Sequence, residues 1–144
     1  MNKIYLVSLL LLASVSFLSG CSKDFLKRYE NRIEGGTWEL YKTKSHGWGR
    51  SFNVAFNSGY FTFLPNGRLE YEDLSGNLYD GSWDMRVDYI QDDRRVRTLL
   101  ITAVDFVTQD VFSEYFDEIR FTATNRFCAY IYGVNKTYIF YFKR

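Results

Sequence analysis

From about residue 35 onward, apolar and polar positions alternate in short runs. In residues 68–73, Leu69 and Tyr71 fall on one side and Arg68, Glu70 and Glu72 on the other. A period of two marks a strand with one buried face. The same alternation sets Tyr79, Gly81, Trp83 and Met85 against Asp80, Ser82 and Asp84, and it turns Ile119 and Phe121 inward in 118–123. It returns in 126–132 through Phe127, Ala129 and Ile131, and in 136–142 through Tyr138, Phe140 and Phe142. The last run is also apolar on its other side, at Ile139 and Tyr141, so it is expected where both faces are covered or where one lines a cavity. Further strands are expected over 37–43, 52–56, 60–64 and 96–104, with 111–116 a short strand or a loop. Residues 44–51 read as a polar loop and 87–95 as a charged, exposed stretch.

Turn residues separate these runs: Asn57-Ser58-Gly59, Pro65-Asn66-Gly67, Ser75-Gly76-Asn77, Thr124-Asn125 and Gly133-Val134-Asn135. Proline presets a turn and Asn-Gly accepts positive φ, so short hairpins follow. Eight or nine strands with no helical period between them make an antiparallel meander, either a barrel or a sandwich. Closure removes the edges that so apolar a sheet would otherwise expose. The expected fold is therefore all-β, a single up-and-down β-barrel of about eight strands over residues 35–144.

The first 34 residues break the pattern. Residues 1–20 carry one charge, Lys3, then an apolar run from Ile4 interrupted by Ser8, Ser14 and Ser16. Leu18-Ser19-Gly20-Cys21 closes it. A positive start, an apolar middle and small residues at the end describe a secretory signal peptide. The unbroken apolar stretch is shorter than the ~20 residues that a spanning helix prefers. Residues 21–34 are charged and mixed and read as a tether. A short helix over 24–33 would place Phe25, Tyr29 and Ile33 on one face, able to cap an end of the sheet.

Composition narrows the function. The chain has 18 Lys and Arg against 17 Asp and Glu. Lys3 leaves with the leader, so the remainder balances and exerts no electrostatic pull toward nucleic acid. Tyr, Phe and Trp number 12, 13 and 3, with only Tyr5 and Phe17 in the leader. That aromatic density favours strands. Of the two cysteines, Cys128 lies in a strand-like run and reads as an inert buried thiol.

Leu18-Ser19-Gly20-Cys21 resembles the lipobox of bacterial lipoprotein precursors. The resemblance implies cleavage before Cys21, acylation of its thiol and of the new amine, and a membrane anchor. Two or more acyl signals hold a membrane stably where one is marginal. Ser22, where an Asp would retain such a protein in the inner membrane, implies the outer membrane. With Cys21 lipidated, Cys128 has no partner for an internal disulfide.

A second resemblance is carried by Gly36-Thr37-Trp38 opening the first strand, Phe61-Thr62-Phe63 before Pro65-Asn66-Gly67, Gly81-Ser82-Trp83, and three closing strands over 118–142. In that order these pieces resemble bacterial lipocalin-like lipoproteins. The family implies a barrel whose floor is crossed by Trp38 beneath a short N-terminal helix. It also implies an arginine near the last strand over that tryptophan, for which Arg144 and Arg126 are the candidates. The family's first long loop closes the open mouth, which would place Trp48, Arg50 and His46 there. The roles of such proteins vary, so fold alone does not fix function.

The residue inventory points away from catalysis. His46 is the only histidine, and Ser45 and Ser51 beside it show no nucleophile elbow. Zinc sites draw on several His or Cys ligands, which the chain does not supply. Glu70 with Glu72, Asp92 with Asp93, and Asp117 with Glu118 read as solvating pairs rather than glycosidase carboxylates. Asp73 to Asn77 reads as a plain turn, with calcium ligation the alternative. Arg94, Arg95 and Arg97 form either a solvated hairpin end balanced by Asp92 and Asp93 or a patch for anionic lipid headgroups. No catalytic residue, metal or cofactor is expected.

Two functions remain. In one, the barrel binds a small apolar ligand or lipid through Trp48, Tyr138 and Phe140. In the other, the protein is not an enzyme or a carrier: its own aromatics fill the core and its loops contact an envelope protein. A barrel of about eight strands accommodates either outcome, and large residues at every inward position would decide for the second.

Overall fold

The computed structural model describes residues 28–90 and 93–144. Cys21 and the rest of residues 1–27, and Asp92, lie outside the described residues. The fold is all-β. One antiparallel sheet holds nine strands: β1 (Thr37–Gly47), β2 (Gly59–Phe63), β3 (Arg68–Glu72), β4 (Leu78–Ile90), β5 (Arg94–Val104), β6 (Val111–Phe116), β7 (Glu118–Ala123), β8 (Arg126–Tyr132) and β9 (Lys136–Lys143). Their order in the sheet is β6-β5-β4-β3-β2-β1-β9-β8-β7. Sequence neighbours therefore pair, β1 also takes β9, and only β6 and β7 part company.

The expected closed barrel is not formed, because β6 and β7 remain as edges of the sheet. They are nevertheless consecutive, separated by Asp117, whose N–H donates to the Tyr130 carbonyl at 2.8 Å. The run 111–123 thus starts on β5 and finishes on β8. Its β6 half pairs with β5 from Val111↔Val104 to Phe116↔Leu99, and residues 94–98 of β5 pair with β4 alone. There β7 packs against β5 without a backbone ladder. Arg94 of β5 reaches across to Glu118 of β7 at 3.3 Å, and Glu118 also holds its β7 neighbour Arg120 at 2.6 Å.

Several boundaries differ from the sequence pattern. Residues 44–47 belong to β1, held by Lys44↔Ile139 and His46↔Thr137 despite their polarity. The charged stretch is mostly strand, since β4 runs to Ile90 and β5 starts at Arg94. Residues 52–56 are not a strand, because the alternating Val54 and Phe56 turn into the core rather than joining a ladder. Pro65–Gly67 forms a tight turn with Asn66 at φ 63°.

A short helix over residues 28–33 closes one end, which we call the floor. Ile33 is buried there and Tyr29 packs against the core, two of the three positions expected on its apolar face. The turns at 64–67 and 124–125, the β4–β5 hairpin end and the C-terminus lie at the same end. The loops 48–58, 73–77, 105–110 and 133–135 lie at the other, the mouth.

Candidate functional site

The floor is built around Trp38, which is fully buried and donates its indole N–H to the Ile33 carbonyl at 2.7 Å. The bond satisfies the indole and the helix end together. Arg144 lies over the indole at 4.8 Å from the ring centroid, whereas Arg126 is exposed on β8. Gly36 leaves room for this: a methyl there would sit 3.2 Å from the Arg144 guanidinium. Trp83 repeats the arrangement, donating to the Leu64 carbonyl at 2.9 Å. Gly81, two residues before it, lies so close to β5 that any side chain would collide with the Thr102 carbonyl.

From the floor a line of rings crosses the interior. Trp38 meets Phe127 edge-on at 4.8 Å, and Phe127 stacks on Phe142 at 4.4 Å. Phe142 meets Phe61 at 5.6 Å, and Phe61 meets Tyr71 at 4.6 Å. Phe140, named from the sequence as a ligand contact, is fully buried 5.0 Å from Phe116. Each pair adds about 0.5–1.5 kcal/mol beyond its buried area. The inward face of the sheet is thus largely occupied by its own side chains.

At the mouth the loop 48–58 folds inward. Phe56 is buried against Phe61 at 5.3 Å and Tyr71 at 5.1 Å, and the Ala55 N–H donates to Glu114 at 2.6 Å. Glu114 lies between Phe112 and Phe116 on the inward side of β6, and burial pushes its carboxyl above the usual range. Tyr138 is buried 4.3 Å from Phe52, and its hydroxyl finds no hydrogen-bond partner among the described residues. Trp48 stands apart at 77 % exposure, so it does not join Tyr138 and Phe140 in one site. Other loops of this end expose apolar tips, including Leu74, Phe106, Val107 at 93 % and Val134 at 99 %.

The remaining candidates have ordinary structural settings. His46 is exposed on β1, and Glu70 and Glu72 are exposed on β3. Asp73 accepts the Ser75 and Asn77 N–H groups on one oxygen and the Asn77 amide and Tyr79 hydroxyl on the other. Those Asn77 bonds, foremost, hold it below the usual carboxylate range. No group of three or more His, Cys, Asp or Glu among the described residues is placed to hold a metal ion. Cys128 is buried in β8, and burial raises its thiol.

Part of the seam between β5 and β7, Arg94, Arg95 and Arg97, is the basic run noted in the sequence, but its carboxylate was read as solvating. Glu118 is buried rather than solvating, and it accepts from Arg120 and from the Tyr132 hydroxyl at 2.6 Å. Burial alone would raise its pKa, but these bonds and the Arg120 and Arg94 charges hold it below the carboxylate range. Tyr132 in turn is pushed up to about 12 by burial and by this bond. Arg97 stacks on Tyr29 at 3.3 Å, and Arg32 lies over Phe121 at 4.1 Å. Only the Arg94–Arg97 part of this cluster shows as a run in the sequence.

Set against known proteins, the chain matches no family model, no curated protein and no solved structure.

Proposed function

We propose that residues 21–144 form a lipid-anchored lipoprotein of the cell envelope with a lipocalin-like architecture. Its filled core serves as a rigid scaffold, and its mouth loops dock an envelope protein. The carrying observation is where apolar surface is exposed. Trp48, Leu74, Phe106, Val107 and Val134 all stand on loops at the mouth, opposite the end where the tether arrives. Exposed apolar clusters mark interaction surfaces, and tryptophan is the commonest anchor of such contacts. The near-cyclic order of antiparallel strands and the Gly36, Trp38 and Arg144 cluster support the lipocalin-like reading. Anchoring through Cys21, most consistent with the outer membrane, rests on the lipobox resemblance, and the scheme includes no catalytic step or cofactor.

The test is site-specific photocrosslinking in cells. A crosslinking residue at position 48 or 134 should trap one discrete partner, while one at exposed Tyr89 on the floor hairpin should not. Equal trapping from both ends would refute a mouth-directed contact.

A carrier role is the second reading, favoured by the buried Tyr138 hydroxyl, which has no partner among the described residues. A small apolar ligand or lipid with one acceptor, entering beneath Phe52 and Phe56, would satisfy that group.

A further inference from the structure

β9 is apolar on both sides, and the core uses only one of them. Tyr138, Phe140 and Phe142 are buried inward, so Thr137, Ile139 and Tyr141 face out. The register carries that outer face across three strands. Lys42 of β1 and Cys128 of β8 flank Tyr141, Lys44 and Tyr130 flank Ile139, and His46 and Tyr132 flank Thr137. Tyr130 stacks with Tyr132 at 6.0 Å, and Tyr41 lies 6.3 Å from Tyr141. One sheet and the floor helix place no second layer over this patch among the described residues. A sheet face turned to water is ordinarily polar. β3 follows that rule with Arg68, Glu70 and Glu72 outward, and β9 does not.

Charge and position say what covers the patch. On its β1 border, Lys42 and Lys44 are exposed and make no ion pair among the described residues. Glu39 and Glu118, which also border it, are engaged, the first by Lys143 at 3.1 Å and the second by Arg120 and Arg94. A tyrosine-rich centre inside a charged rim is the anatomy of a protein interface, and cations at the rim favour carboxylates opposite. The patch also runs into the mouth. It ends at His46 and Thr137, just short of Trp48, whose backbone N–H donates to the Asn135 carbonyl at 3.1 Å. The Leu74 and Phe106 side of the mouth carries Asp73, Asp105 and Asp110 instead. We propose that the mouth contact continues from Trp48 and Val134 down the outer face of β9, and that its partner is a protein presenting an apolar ridge edged with carboxylates. The inference rests on the mouth-docking reading and names the chemistry of that partner.

The test repeats the in-cell photocrosslinking on the full chain, with a crosslinking residue at position 137 as well as at 134. Both should trap the same protein, while one at position 70 on the β3 face should not. Reversing both lysines, Lys42→Glu with Lys44→Glu, should lower trapping from position 134 about tenfold. Lys42→Arg with Lys44→Arg keeps the charge and should change it less than about twofold, as should Glu70→Lys. All these chains should keep the wild-type melting temperature to within a few degrees. Trapping from 134 without 137, or trapping from 134 that ignores the lysine reversal, would overturn the proposal and leave the mouth contact standing. A trapped species that survives protease, an anionic glycan or a lipid, would overturn the assignment to a protein. Equal trapping from Tyr89 would sink the mouth reading itself, and this proposal with it.

Discussion

The two ends of the sheet use the same residue types for opposite purposes. At the floor, Trp38 is fully buried with its indole bonded to the Ile33 carbonyl and Arg144 across its face. At the mouth, Trp48 is 77 % exposed while the loop carrying it sends Phe56 inward. A tryptophan can be buried cheaply only where a carbonyl meets its N–H. The helix end and the β2–β3 turn supply such carbonyls to Trp38 and Trp83. The floor is thereby a fixed seal, and the mouth is closed by a loop that leaves its largest side chain outside.

The strongest way to break this contrast is to truncate each seal. Trp38→Ala should cost about 3–5 kcal/mol, because helix, sheet and Arg144 meet on the ring and cannot collapse together. Phe56→Ala should cost less, about 2–3 kcal/mol, since a loop can settle into the space. Denaturant unfolding measures both. Equal losses would mean that the mouth is as rigid as the floor.

A smaller effect separates the buried Glu118 from the half-buried Glu114. Glu118 has a folded pKa below its ordinary value of 4.5, so its stabilisation is present above that value and is lost as pH falls through the folded pKa. Glu114 has a raised folded pKa, so its contribution is present below 4.5 and is lost as pH rises through the folded pKa. Acid titration of unfolding midpoints should therefore be flatter in Glu118→Gln than in wild type and steeper in Glu114→Gln. Glu118→Ala should lose about 2 kcal/mol near neutral pH, below the roughly 3–5 kcal/mol of a fully buried broken pair, because Arg94 and Arg120 are half in solvent. The smallest effect on stability is expected at Trp48→Ala, within about 0.5 kcal/mol, while crosslinking to the partner from position 134 should fall sharply.

Much of the sheet was legible in the sequence, because strands with one buried face write their period directly. Leu69 and Tyr71 against Glu70 and Glu72 is the clearest case. The floor was expected from the resemblance carried by Gly36-Thr37-Trp38, not from the period. The mouth loop was not: Phe52, Val54 and Phe56 carry a strand's period, and only the absence of a ladder partner separates an inserted loop from a strand. Residues 44–47 misled in the opposite sense, since their strand is imposed by pairing with β9 rather than by their own side chains. The seam was hidden most deeply. Arg32, Arg97, Glu118 and Arg120 are distant in sequence, and Glu118 next to Asp117 looks like any solvated pair until the fold buries it.

The central claim is that the interior is filled by the protein's own rings, leaving the loops as the working surface. Native mass spectrometry of the full mature protein, extracted from its own envelope, tests it most directly. The account predicts the mass of residues 21–144 with covalent acyl chains and nothing more. A discrete additional mass that denaturation releases would contradict it and establish the domain as a carrier.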